Sequence, residues 1–248
     1  MPRQSPRDES GRGDPARTLE LLWGTREPPS RGPKPGLTIA RIVAAAIAVA
    51  DAEGLEALSM RRLAAELGVG TMSLYRYVPG KAELIDVMLD TVFGQVAVPT
   101  EGEGWRATLE HSAREGWAMY QRHPWAALAE TRPVLGPNAL DGYEALLRVM
   151  ATTALAPGDV VNAVELVSGY VAGFARRVVE ESEATRRTGV SNEEWWSARE
   201  SFWEQYFDVE RYPSITAMWE AGAYEARADA FEFGLQRVLD GVAAYLDR

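Results

Sequence analysis

Apolar residues in this chain recur every three or four positions along most of its length, and that spacing leaves a helical architecture as the expected outcome. Between 38 and 53, Ile39, Ile42, Val43, Ala46, Ile47 and Ala50 form one stripe, and Gly54 stands where such a helix would end. Ser59 can cap the next helix, with Leu63 and Leu67 turned inward and Gly68 closing it. The run KAELIDVMLDTVF repeats the pattern through Leu84, Val87, Met88 and Val92. Further helices are expected at roughly 104–122, 137–154, 158–182, 192–207 and 225–246. Strand alternation on either side of an Asn-Gly or Asp-Gly turn is missing from the sequence, so the fold class is expected to be all-α.

A chain of 248 residues with 46% apolar residues can bury a core without staples. It has no cysteine, which removes disulfides and thiolate chemistry and fits a reducing compartment. The first 36 residues hold no secretory apolar run, and IVAAAIAVA at 42–50 is about half the length that a spanning helix needs. A cytoplasmic location with no membrane partner is expected. The formal charge of -10 is unevenly spread: seven basic against five acidic residues in 1–36, five against seven in 37–93, fourteen against twenty-four in 94–248. The acidity therefore belongs to the C-terminal part. A basic arm followed by a near-neutral unit fits a phosphate partner, and fits a solubilising tail equally well.

Residues 59–78 read as two short helices separated by a turn. The second, about 71–77, is too short to stand alone and has to be pinned, which Leu74 and Val78 at i and i+4 can do. That leaves Thr71, Met72, Ser73, Tyr75, Arg76 and Tyr77 on an outward arc. A helix-turn-helix uses this arrangement to lay its second helix in the DNA major groove. The side chains have the chemistry for it, since Arg can bond a guanine edge, Thr and Ser reach bases or phosphates, and Tyr hydroxyls reach phosphate.

The segment SMRRLAAELGVGTMSLYRYVPGKAELID resembles the DNA-binding region of the TetR family of transcriptional repressors. That resemblance covers 38–93 and implies three N-terminal helices joined by a fourth to a larger helical ligand-binding and dimerisation domain. It implies base reading by Arg61, Thr71, Met72, Ser73 and Arg76, and phosphate contacts by Tyr75, Tyr77 and Lys81. Met60 stands where tetracycline repressors have a hydroxyl residue, so that phosphate contact is not carried over. Arg62 reads as a solvated face. Arg31 and Lys34, set among helix breakers in a flexible basic arm over 1–36, either follow the adjacent DNA or merely solubilise. Within that arm Leu19, Leu22 and Trp23 suggest a short amphipathic turn with a docking face.

Beyond residue 93, GEGW, TRP and FEFGLQRVLDGVAAYL resemble landmarks of the tetracycline-repressor type of C-terminal domain, over 94–248. The stripe Phe231, Leu235, Val238, Leu239, Val242 and Leu246, with small Gly234 and Gly241, is expected to form a homodimer seam with the long helix around Val161–Gly173. The resemblance places a small-molecule effector among Trp117, Tyr120, Leu128, Thr131, Arg132, Met150, Tyr170 and Phe174. Trp105, Trp117, Trp125, Trp195, Trp196 and Trp203 suggest an aromatic-rich interior, or in part a dimer surface. Leu128 stands where tetracycline repressors hold the drug's magnesium through a histidine, and His111 and His123 form no i, i+4 metal pair. They are read as a surface hydrogen bond and a helix-end contact. No metal or cofactor is expected.

Catalysis is not expected. No phosphate-binding glycine loop, HExxH or GxSxG elbow occurs, and carboxylate pairs are inevitable among thirty-six acids. The leading expectation is a double-stranded DNA regulator, a repressor released from a palindromic operator by a largely apolar effector. The alternative is a helical adaptor that uses the same fold for protein contacts.

Overall fold

A computed structural model describes residues 10–24, 36–97, 102, 104–224 and 229–247, and among these every regular element is a helix. The head is built from α2 (Ile39–Glu53), α3 (Met60–Leu67) and α4 (Thr71–Leu74), followed by the connecting helix α5 (Lys81–Phe93). Thr38 caps α2 by accepting from the Arg41 amide, and Ser59 caps α3 by accepting from the Arg62 amide. Gly68 ends α3 in the left-handed region at φ 66°, where a Cβ would be strained, and so makes the turn into α4 possible. The second helix is regular only over 71–74; the chain then continues as a turn in which Tyr77 and Val78 both bond the Leu74 carbonyl at 2.9 Å. Leu63, Leu74 and Val78 are essentially inaccessible and close the core beneath it.

The N-terminal segment differs from the expected arm. Instead of a flexible chain throughout 1–36, residues 15–22 form α1 (Pro15–Leu22), packed on α5. Asp14 accepts from the amides of Ala16 and Arg17, and Pro15 supplies a preset φ at the first turn. Leu21 and Leu22 are its buried apolar residues, whereas Leu19 and Trp23 are exposed, so only Leu22 of the three residues expected to dock is covered.

The C-terminal part consists of α6 (Trp105–Arg122), α7 (Pro124–Ala129), α8 (Pro137–Met150), α9 (Pro157–Thr188), α10 (Asn192–Ser197), α11 (Glu200–Gln205), α12 (Pro213–Glu220) and α13 (Ala230–Leu246). Helix α9 is central: α6, α7, α8 and α13 all pack on it. On α13, Phe231, Leu235, Leu239 and Val242 are buried inside their own chain, so most of the stripe expected at a dimer seam is core. Gly234 likewise permits a close approach within the chain, since a Cβ there would collide with the Tyr170 hydroxyl. Arg106 to Asp240 at 2.6 Å and Arg114 to Glu232 at 2.6 Å tie α6 to α13 along the surface.

Trp195, Trp196 and Trp203 do not join an interior. They lie on α10 and α11, and none of the residues of α10, α11 or α12 is buried. Helices of six to eight residues present too little surface to bury one another. Their rings instead pack among themselves, Trp196 stacked on Trp203 at 6.1 Å and Trp203 tilted against Trp219 at 5.6 Å between centroids.

Candidate nucleic-acid interface and sensor cavities

The outward arc of the head carries the residues singled out for DNA. Met72 is 74% exposed, Tyr75 42%, and Arg61 and Arg76 are also exposed, whereas Thr71, Ser73, Tyr77 and Lys81 are half-buried. An apolar thioether left that open on a surface otherwise rich in hydroxyls and guanidinium groups suits contact with a thymine methyl. Tyr77 packs against the head core with its ring. The Lys81 ammonium donates to the Leu55 carbonyl at 2.9 Å, which fastens the α2–α3 loop to the start of α5. Arg62 is engaged by Glu53 and Glu66, each at 2.7 Å, and its guanidinium is held above its ordinary value first by the hydrogen bond to Glu53 and then by that to Glu66. It is a carboxylate clamp on the far edge of α3. Met60 is buried and could not reach phosphate. Arg31 and Lys34 lie outside the described residues.

The residues expected around a ligand fall into several groups. Trp117 stacks on Phe231 at 5.3 Å and meets Phe174 edge-on at 5.2 Å, and Tyr170 donates its hydroxyl to the Phe231 carbonyl at 2.8 Å. Tyr170 and Phe174 line an open groove of about 500 Å³ between α9 and α13, with Arg177 lying 4.9 Å over the Phe174 ring. Tyr120 instead borders a more enclosed hollow of about 140 Å³ between the end of α5 and helices α6, α8 and α9. Phe93, Leu109, Ser112 and Val167 also line it, and the sequence singled out none of them, because the lining converges from four separate helices. Met150 is fully enclosed and lines neither space. Leu128 is half-buried on α7, while Thr131 and Arg132 sit in the α7–α8 loop.

Two polar clusters stand out, the first of them at the hollow through Tyr120. Tyr120 donates its hydroxyl to the Glu130 carboxylate, and Arg176 donates to the Glu130 carbonyl at 2.8 Å. Burial raises the Glu130 carboxyl above the usual range, opposed by the Tyr120 bond and by Arg176. The second cluster joins the two parts of the molecule. His123, at the α6–α7 junction, places Nδ1 2.8 Å from Asp51 of α2 and Nε2 3.1 Å from Gln95, and Trp125 donates to the same Asp51 oxygen at 2.8 Å. His123 is therefore a buried link between head and sensor as well as a helix-end residue.

A short exposed helix pinned over a three-helix head, and joined through one connecting helix to a larger helical domain with an apolar hollow, defines a helix-turn-helix DNA-binding regulator. Comparison with known proteins narrows the class. Residues 42–88 match the family model "Bacterial regulatory proteins, tetR family", and residues 98–246 match "Tetracyclin repressor-like, C-terminal domain". The chain is 51% identical to the HTH-type transcriptional repressor DrrR1 of Streptomyces coeruleorubidus over 95% of this chain and 88% of that protein. It is 36% identical to an HTH-type transcriptional regulator of Saccharopolyspora erythraea over 90% of this chain and 91% of that one. Among solved structures, ActR of Streptomyces coelicolor in complex with actinorhodin superposes with a TM-score of 0.71 at 28% identity, covering 85% of this chain and 97% of ActR. The chain belongs to the TetR family: it is a DNA-binding transcriptional regulator and not an enzyme. The adaptor reading has no support from these relatives. No helix among the described residues is long and apolar enough to cross a membrane.

Proposed function

We propose that this protein is a homodimeric repressor that binds a two-fold operator and is released by a small, largely apolar effector. One observation carries the reading: Arg61, Met72, Tyr75 and Arg76 stay exposed on a head whose own core is closed, and α5 runs from that head to the apolar hollow beside Tyr120. The head spans 37–93 and the sensor 94–248. The similarity to DrrR1, a repressor, and to ActR, solved with actinorhodin bound, supports both halves of the reading.

The dimer forms through the outer faces of α9 and α13. Leu166 and Phe233 are exposed there beside the exposed glycines Gly169, Gly173 and Gly241, which let a second pair of helices approach closely. The exposed aromatic surface of α10–α12 joins that interface. The hollow, at about 140 Å³, is smaller than the roughly 300–1,000 Å³ that drug-sized ligands occupy, so the effector widens it on entry. Movement of Tyr120 and Glu130 then shifts the α7–α8 loop, which Glu130 opens, and the two heads lose their register on DNA. A mobility-shift assay on the DNA flanking this protein's own gene tests the reading: a retarded band with steep salt dependence is expected, and its absence at every salt concentration would sink it.

A further inference from the structure

We propose that residues 10–24 are a strap that fastens α5 to the α7–α8 loop and thereby sets how firmly the reading head is held for operator binding. The proposal rests on the repressor reading above. The strap lies outside both family matches, 42–88 and 98–246, so nothing about those domains accounts for it.

Its contacts run from the loop to the helix and back to the loop. On the loop side, the Ser10 amide donates to the Ala129 carbonyl at 2.8 Å. The Ser10 hydroxyl accepts from the amides of Thr131 and Arg132, both at 3.1 Å, and donates to the Arg132 carbonyl at 3.3 Å. On the α5 side, the Gly11 amide donates to Asp86 and the Asp14 amide to Glu83, both at 3.0 Å, and Leu21 is buried on the same helix. The chain then returns to the loop, where the Trp23 indole donates to the Leu135 carbonyl at 3.0 Å. Loop, helix, helix, loop is the order along the chain. A segment threaded in that way cannot release one partner without loosening its hold on the other.

Glu83, Asp86 and Asp90 are all buried on α5, and a buried carboxylate needs its donors. Asp90 takes them from the start of α8, through the Asn138 side chain and the Ala139 amide, both at 3.0 Å. Glu83 and Asp86 take amides of the strap. The connecting helix is thus bonded both to what precedes the head in sequence and to the sensor, and Glu83 and Asp86 lose their strap donors if the strap lifts. The loop that the strap grips begins with Glu130, whose carboxylate Tyr120 binds at the edge of the hollow. A shift there is delivered to α5 through the strap.

The test compares three full-length proteins: wild type, Leu21→Asp, and the double variant Ser10→Ala, Trp23→Phe, which removes loop-side bonds and leaves the apolar docking of α1 intact. Hydrogen–deuterium exchange without DNA is read alongside a mobility shift on the flanking DNA. Leu21→Asp is expected to speed exchange by about tenfold in both 81–93 and 129–135 while 230–246 keeps its rate, and to weaken operator binding by about tenfold. The double variant, which serves if Leu21→Asp does not fold, is expected to speed the same two stretches together by a smaller factor. Faster exchange confined to 10–24, or spread equally to 230–246, would overturn the strap. A wild-type protein that bound no DNA would instead overturn the repressor reading, with the exchange data still deciding whether the strap couples helix and loop.

Discussion

Arg61 and Arg76 leave the head with exposed side chains, whereas Lys81, expected like them to touch DNA, is half-buried and bonded to the Leu55 carbonyl. Truncation should separate their roles. Arg61→Ala or Arg76→Ala is expected to relax discrimination at one operator base pair by about 1–3 kcal/mol, measured as the ratio of affinities for operators changed at single positions. Lys81→Ala should weaken all sequences alike, and because it also frees the α2–α3 loop it should lower the melting temperature. Asp86 offers a second residue-scale prediction. Burial raises its carboxyl above the ordinary value, the Gly11 amide opposes this, and the charge of Glu83 adds to it. The native state therefore holds the proton more tightly than the unfolded chain, so this group's contribution falls as pH rises through the unfolded and then the folded pKa. Above both, the cost is fully present. Asp86→Asn keeps an oxygen for Gly11 and removes that cost. It is expected to be at least as stable as wild type at pH 7, with a shallower fall in melting temperature from about pH 4 upwards. A variant clearly less stable at pH 7 would contradict this.

Among the elements, α2, α3 and α5 were legible because their signals are local. The cap at Ser59, the glycines that end α2 and α3 and the apolar spacing all act within a few residues of one another. The α13 stripe was legible as a buried face but not as to what buries it, since periodicity does not name the partner. Core packing took most of that stripe, and Gly234 shows how closely. A methyl there would run into the Tyr170 hydroxyl and lie 2.7 Å from Cζ, and the hydroxyl is itself held by the Phe231 carbonyl. Gly234→Ala is expected to cost about 1–3 kcal/mol in urea unfolding. Combined with Tyr170→Ala, the loss should be smaller than the sum of the two single effects, because the clash has gone. Additive losses would mean that the helices part instead of colliding.

At the scale of the whole molecule, the apolar residues left exposed on α9 and α13 are those that a second copy would cover. Leu166 is 53% exposed and Phe233 64%. Replacing both by Glu leaves each monomer's core untouched and places carboxylates at the proposed seam. The expected product is a folded monomer by sedimentation, with near-wild-type helical content and no stable operator complex, because one head spans only a half-site. A dimer that survived the double substitution would move the interface elsewhere. The aromatic stretch 195–219 marks the limit of composition as a guide at this scale. Tryptophan count suggested an interior or in part a dimer surface, and short helices with no long partner left Trp195 and Trp196 exposed and Trp203 half-buried.

Sequence alone determined the helical class and the helix-turn-helix with its pin at Leu74 and Val78, because each rests on spacing and side-chain chemistry within a short window, and its resemblance to known segments pointed to the family. Tertiary structure decided the rest. It brought Asp51, Gln95 and His123 together from three parts of the chain, buried three carboxylates on α5, and laid residues 10–24 across helix and loop. Those arrangements depend on contacts tens of residues apart in the chain, where no local preference has a say and only the mutual burial of surfaces selects the partner.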